Sequence, residues 1–205
     1  MSESASSAAP RRGPRSPAID PPADAILPPR HPDAPAPGEQ IGSHYAECFG
    51  CGEDHPTGLH LHVLAGEGLT LTATFEVTRD HQGAPGLAHG GLLSCAFDEA
   101  LGALNWLLLM PAVTGRLETD FRRPVPVGSV LHVRAAIVGV SGRKIFARAV
   151  GHLDGPEGPL AVTAAALFLA VPMQHFRSHG RAEDVDRAIS EGRVGRVRED
   201  FEVNP

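Results

Sequence analysis

Residues 89–110 read HGGLLSCAFDEALGALNWLLLM, and this stretch decides how the rest of the chain is interpreted. Residues 92–110 are apolar on nearly every face, which indicates a helix enclosed by other elements. Pro111 cannot continue a helix and marks its end. The sequence therefore predicts one long buried helix near the middle of the chain.

Runs typical of β-strands lie on both sides of this helix. Two alternating runs precede it, at residues 59–63 and 69–77, and four follow it, at residues 113–121, 129–140, 144–153 and 159–171. The pattern predicts an α+β fold, in which an antiparallel sheet is wrapped around one long buried helix. Because a sheet cannot cover both its own edge and so apolar a helix, we expect a dimer.

Composition divides the 205 residues into one folded domain with two tails. Ten of the 19 prolines lie in the first 40 residues, which contain no aromatic residue. Such a segment buries too little apolar surface to offset its ordering entropy, so residues 1–43 are predicted to be disordered. We assign residues 44–173 to the folded domain and residues 174–205 to a charged C-terminal tail, in which residues 182–191 are compatible with a short surface helix.

The charge balance and the apolar runs exclude several classes of partner. The chain has 24 acidic and 18 basic residues, a net charge of −6 that argues against nucleic-acid binding. No apolar run reaches the roughly 20 residues of a membrane span, and no N-terminal stretch resembles a secretory signal. Three cysteines fit a reduced compartment, so we predict a cytoplasmic location without membrane association.

The start of the helix and one turn in its middle carry the candidate chemistry. Gly90 and Gly91 leave N–H groups free at the positive end of the helix dipole, which suits an anion or an oxyanion. Asp98 and Glu99 are the only charges in residues 90–114. A buried carboxylate is costly, so Asp98 is a candidate general base or nucleophile. The structural alternative is that Asp98 caps a loop and Glu99 pairs with an arginine.

Cys48 and Cys51 form a Cys-x-x-Cys pair that raises the question of a metal. His44, His55, His60 or His62 could complete a zinc site, but structural zinc usually has two such pairs at defined spacing. We therefore predict no metal and expect Cys48 and Phe49 to pack beneath the helix. A redox pair is the other alternative, although the segment lacks the strand-to-helix context that lowers a cysteine pKa.

Four motifs in order resemble the PaaI-type acyl-CoA thioesterases of the hotdog superfamily, in the branch of thioesterase superfamily member 4. The main match is His89-Gly90-Gly91-x6-Asp98, with a Pro-Gly pair just upstream. Three further stretches agree: CFGCG at 48–52 followed by HPTGL at 55–59, FRRPVP at 121–126, and GRK at 142–144. The order of strands and helix is also that of the hotdog fold.

The resemblance implies an enzyme that hydrolyses acyl-CoA to a carboxylic acid and free coenzyme A, without a cofactor. It implies homodimers, which can pair into tetramers, with active sites at the subunit interface. Asp98 would be the general base or nucleophile, and the Gly90 N–H would form the oxyanion hole. His89 would shape the turn, and Thr114 would orient the attacking water.

The same resemblance implies a set of residues that hold the substrate. Guanidinium and ammonium groups suit the phosphates of coenzyme A. The predicted substrate-binding residues are Gly91, Asp120, Arg122, Arg143 and Lys144.

One departure and two rival functions stay open. Many bacterial relatives place Asn or Gln six residues before the motif histidine, where this chain has Gly83 next to Gln82, so Gln82 is a candidate replacement.

A hotdog enoyl-CoA hydratase would need an Asp/His pair, and His89 at the helix start argues against it. A non-catalytic acyl-CoA sensor would leave Asp98 and the glycine donors unused. Trp106 and Phe97 are the candidates to line an acyl tunnel.

Overall fold

The computed structural model of the chain describes residues 19–190. In this part of the chain, six strands form one sheet in the order β1-β2-β4-β5-β6-β3, with every neighbouring pair antiparallel. The predicted α+β hotdog class is confirmed. The strands are β1 (His62–Ala65), β2 (Thr70–Glu76), β3 (Ala112–Phe121), β4 (Val130–Ser141), β5 (Lys144–Leu153) and β6 (Leu160–Ala170).

The central helix α1 (Gly90–Ala103) lies across the sheet and supplies its core. Phe97, Ala100 and Leu101 on α1 are fully buried. Gly151 on β5 permits this packing, because a Cβ at that position would lie 2.7 Å from the Phe97 Cζ. The α-helix is shorter than predicted, since a 3-10 turn (Leu104–Leu107) follows it before Pro111.

The first predicted strand is displaced toward the C-terminus. Residues 59 and 61 pair with a loop instead of with β2: Leu59 N–H donates to the Phe49 carbonyl at 2.7 Å, and Leu61 N–H donates to the Gly50 carbonyl at 3.0 Å. Strand pairing with β2 therefore begins only at His62.

The prediction of disorder for residues 1–43 is wrong for residues 19–43, which pack against the fold. Residues 1–18 lie outside the described residues. The segment follows the fold surface as an extended arm. Ile26 pairs with Val140 of β4, and Ile41 is buried in the core. The prolines do not prevent this packing because an extended arm needs few backbone donors of its own.

The two edges of the sheet differ in their cover. The arm covers β1, because Ile41 N–H donates to the Val63 carbonyl and Ala65 N–H donates to the Glu39 carbonyl, each at 2.9 Å. Within residues 19–190, no segment pairs with the outer edge of β3. One sheet edge is therefore available to a second chain.

Two short helices follow the sheet, α2 (Met173–His179) and α3 (Ala182–Ser190). The predicted surface helix at 182–191 corresponds to α3 through residue 190, whereas α2 was not predicted. No helix of residues 19–190 is both long enough and apolar enough to cross a membrane.

Candidate active site

The start of α1 presents one backbone donor that is free. His89 is the N-cap, and its Nδ1 accepts the Gly91 N–H at 2.9 Å. The next two amides, of Leu92 and Leu93, donate to the His89 carbonyl. Among the described residues, the Gly90 N–H has no hydrogen-bond partner. Of the two predicted glycine donors, Gly90 is thus the one available to a ligand.

The loop before the helix positions His89. A Cβ on Gly83 would lie 2.8 Å from the His89 Cα, so only glycine allows the two segments to approach this closely. Gln82 closes the same turn, since its Oε1 accepts the Gly86 N–H at 2.9 Å. Gln82 is the predicted substitute for the Asn of bacterial relatives, but its side-chain oxygen already accepts a hydrogen bond within the loop.

Asp98 lies two turns further along α1 and meets β3. The Thr114 hydroxyl donates to the Asp98 Oδ1 at 2.9 Å, so the structure brings these two predicted residues together. Burial raises the pKa of the Asp98 carboxyl above its ordinary value, and the hydrogen bond from Thr114 opposes part of that rise. A carboxylate held in this way can accept a proton from a water molecule beside it.

An apolar cavity of about 460 Å³ opens beside Asp98 and Thr114. Its volume lies in the range of small-molecule sites. The C-terminal helices form part of its wall, which the sequence did not predict. Trp106 lines the cavity, whereas Phe97 is a fully buried core residue and does not. Other apolar lining residues are Met110, Phe168, Phe176, Val185 and Ala188.

α1 runs beside β3, so the functional groups lie along the open edge of the sheet. A Cβ on Gly90 would lie 3.4 Å from the Phe121 ring, near the end of β3, whereas Asp98 meets Thr114 near its beginning. Asp98 comes eight residues after Gly90 on the helix, which is about 12 Å along the axis. Within one chain, the two groups therefore lie at opposite ends of the site.

The predicted coenzyme A residues are divided in the same way. Asp120 and Arg122 form an ion pair of 3.3 Å at the end of β3. Arg143 and Lys144 are exposed in the β4–β5 hairpin, and Lys144 pairs in register with Leu169 at the other end of the sheet. Val113, the β3 partner of Leu169, lies seven residues before Asp120, which corresponds to about 23 Å along the strand.

Glu99 has partners that the sequence did not predict. Instead of pairing with an arginine, its carboxylate faces the loop before β1, where Cys48 Sγ lies 3.6 Å from Oε2 and His44 Nδ1 lies 3.9 Å from Oε1. Burial raises the pKa of Glu99. Cys51 Sγ lies 3.3 Å from His44 Nδ1. The Cys-x-x-Cys spacing indicated part of this cluster, but no local pattern indicated Glu99.

A six-stranded antiparallel sheet wrapped on one central helix, which carries the half-buried carboxylate of Asp98, identifies this chain as a hotdog-fold protein. The model of the thioesterase superfamily matches residues 85–159. The match supports the resemblance of this chain to the thioesterase superfamily and to its PaaI-type members.

Individual proteins show the same similarity. Acyl-coenzyme A thioesterase THEM4 of Bos taurus is 40% identical over 65 residues, which are 32% of this chain and 26% of that protein. A variant of the phenylacetic acid degradation protein PaaI from Thermus thermophilus is 28% identical, with a TM-score of 0.50 over 55% of this chain and 95% of that one. A thioesterase superfamily protein of known structure, 24% identical, has a TM-score of 0.55 over 67% of this chain and 70% of that one. The matched segment spans 26–37% of the length of the THEM4 proteins.

Proposed function

We propose that this protein hydrolyses acyl-CoA thioesters to a carboxylic acid and free coenzyme A. The observation that carries the proposal is the hydrogen-bonded Asp98–Thr114 pair in the wall of an apolar cavity. The cavity suits an apolar acyl chain. A thioester whose acyl chain occupied the cavity would have its carbonyl group beside Asp98 and Thr114. The match of residues 85–159 to the thioesterase superfamily model and the similarity to the THEM4 proteins support the same reaction. The cytoplasmic location stays a prediction.

In the proposed reaction, Asp98 takes a proton from a water molecule that Thr114 helps to orient. The water oxygen bonds to the thioester carbon, and the Gly90 N–H donates to the resulting oxyanion. The carbonyl then re-forms, the carbon–sulfur bond breaks, and the coenzyme A sulfur leaves and takes up a proton. In the alternative route, the Asp98 carboxylate attacks the carbon itself and displaces the coenzyme A thiolate, which takes up a proton. Water then cleaves the resulting anhydride at the Asp98 carbonyl carbon. Hydrolysis in ¹⁸O-water under single-turnover conditions separates the routes, because only the second leaves ¹⁶O from Asp98 in the product.

The site needs two copies of the chain. The attacking atom and the oxyanion donor must each lie about 3 Å from the reacting carbonyl, whereas Gly90 and Asp98 of one chain are about 12 Å apart. Antiparallel pairing of two β3 edges about a two-fold axis removes this mismatch. It brings the Gly90 end of one chain beside Asp98 of the partner subunit.

The same pairing brings the predicted coenzyme A residues together. The Asp120–Arg122 end of β3 in one chain would lie beside the Arg143–Lys144 hairpin of the other. A substrate phosphate group between them would meet basic groups from both chains, and arginine binds phosphate in a bidentate manner. The homodimer is thus part of the proposed function, and pairing of dimers into tetramers stays a prediction.

The activity is tested by thiol release across short-, medium- and long-chain and aromatic acyl-CoAs. We expect turnover with at least one class, and a loss of roughly 10²–10⁴-fold in Asp98→Asn. Asp186→Asn makes the same chemical change on the exposed face of α3 and is the matched control. Water addition to an enoyl-CoA without thiol release would indicate the hydratase, and binding without any turnover would indicate the sensor.

The two-chain site is tested by coexpressing Asp98→Ala and Gly90→Pro chains, each of which alone is expected to be at least about 100-fold less active than the wild type. A mixed dimer then contains one site with Gly90 and Asp98 both intact, on different chains. With random pairing we expect about one quarter of wild-type activity. If both residues acted within one chain, the mixture would stay inactive, and the two-chain site would be wrong while hydrolysis itself could still be measured.

A further inference from the structure

A cluster of four potential metal ligands lies outside the Asp98–Thr114 pair. His44, Cys48 and Cys51 come from the loop before β1, and Glu99 comes from α1. One ligand atom from each lies within 4.8 Å of all the others. Three of the separations between ligand atoms are 3.3 Å for Cys51–His44, 3.6 Å for Cys48–Glu99 and 3.9 Å for His44–Glu99.

These separations agree with tetrahedral zinc coordination. Zinc bonds of about 2.0–2.3 Å in a tetrahedron place the ligand atoms about 3.3–3.8 Å apart. The four groups therefore need only small shifts to contact one central ion. We propose that His44, Cys48, Cys51 and Glu99 bind one zinc ion.

The ligand chemistry selects the ion and the type of site. Two thiols and an imidazole do not suit magnesium or calcium, which prefer oxygen ligands, but they are ordinary ligands of zinc. Four protein ligands complete the coordination sphere, which is typical of a structural site and leaves no position for substrate. Binding displaces the protons of the two thiols, so the ion is held by two thiolates, one carboxylate and a neutral imidazole.

The local backbone holds the ligands in place. A Cβ on Gly50 would lie 2.3 Å from the Glu99 Oε2, so glycine at this position lets the helix carboxylate reach the loop. The Gly52 N–H donates to the Cys48 carbonyl at 2.8 Å, which closes the turn between the two cysteines. Outside the four ligands, the Ser43 hydroxyl lies 3.5 Å from the Cys51 Sγ, as expected of an outer-shell partner.

The ion would attach residues 43–52 to α1 one residue after Asp98. His44 also lines the apolar cavity, so the ion would stabilise part of the cavity wall. No step of the proposed hydrolysis passes through it. This assignment replaces the sequence-based expectation of no metal, because the missing ligands come from His44 upstream and from Glu99 in the distant helix rather than from a second cysteine pair.

The first test uses the unmodified full chain, purified under reducing conditions, with elemental analysis for zinc. We expect one zinc per chain. After removal of the metal with a chelator, titration with Co²⁺ should produce thiolate-to-cobalt charge-transfer absorption and tetrahedral d–d bands. This test uses the unmodified chain. A missing spectrum therefore cannot be attributed to a substitution that disrupts folding.

The second test compares variants. Cys48→Ser and Glu99→Gln should weaken zinc binding by at least about 100-fold, since even outer-shell changes cost roughly 10–100-fold. Cys95→Ser alters the remaining cysteine, on α1 outside the cluster, and should keep full zinc content. The proposal is overturned if the reduced chain binds neither zinc nor cobalt, if Cys48→Ser retains wild-type affinity, or if a Cys48–Cys51 disulfide is found in place of the metal.

Discussion

Removing the Gly90 N–H while keeping the helix start intact isolates the role of this donor. Proline has no N–H and is favoured at the first position of a helix, which Gly90 occupies. The preceding residue, His89, has φ −72° and ψ 128°, the extended conformation that a residue before proline adopts. Gly90→Pro should therefore fold normally and lack only the donor. Gly90→Ala keeps the N–H, and its Cβ would lie at an ordinary 3.4 Å from the Phe121 ring.

The expected loss follows from how the neighbouring amides are used. The Gly91 N–H is bound to the His89 side chain, and the next two amides donate to the His89 carbonyl, so none of them replaces the lost donor. Loss of one oxyanion-hole donor costs about 2.7–4 kcal/mol of transition-state stabilisation. At about 1.36 kcal/mol per decade, this corresponds to a kcat roughly 10²–10³-fold below that of Gly90→Ala.

The assay is thiol release with the best substrate of the panel, at saturating and at limiting concentrations. A fall in kcat with KM nearly unchanged is expected, because the donor acts on the oxyanion more than on the bound substrate. Thermal unfolding of both variants checks that the helix start is intact. Equal kcat values for the proline and alanine variants, with equal stability, would refute the assignment of the oxyanion hole to Gly90.

Two further variants test the Asp98 partner and the core. Thr114→Val removes the hydroxyl that donates to Asp98 at 2.9 Å. It should lower kcat by about 10–100-fold, because a hydrogen bond to a charged group contributes roughly 1.5–3 kcal/mol. Thr114→Ser, which keeps the hydroxyl, should retain most of the activity. Gly151→Ala introduces a Cβ 2.7 Å from the buried Phe97 ring and should reduce the free energy of unfolding in urea by about 1–3 kcal/mol. Gly102→Ala, whose nearest contact is at 3.8 Å, should not destabilise the chain, and equal effects of the two alanines would contradict the packing argument.

The elements of the hotdog core were predictable because their signals are local. Alternation of apolar residues identifies the strands within a few residues of the observed bounds, and the apolar run before Pro111 identifies the helix. The helix end was placed too late, since the 3-10 turn after Ala103 is as apolar as the helix itself. Residues 59–61 read as strand because they alternate, although their backbone partners belong to a loop.

Composition was a poor guide to the arm and to the cavity wall. Proline-rich residues 19–43 were predicted to be disordered, yet Ile41 is buried and Ile26 pairs with β4. Ile26 and Ile41 make these contacts with the surface and the β1 edge of the sheet, which are formed by residues far away in the sequence. The role of α2 and α3 in closing the cavity depends in the same way on where β6 ends.

The sequence by itself determined that a carboxylate at Asp98 follows a His-Gly-Gly helix start, and the eight-residue spacing between Gly90 and Asp98 already sets them about 12 Å apart. Only the tertiary structure decided that Thr114 meets Asp98, that β3 is the open edge, and that Glu99 reaches His44 and the two cysteines. Periodicity reports which face of an element is apolar, because that depends on near neighbours in the chain. Which polar groups meet across the fold depends on strand order and helix placement, and these are properties of the packed chain as a whole.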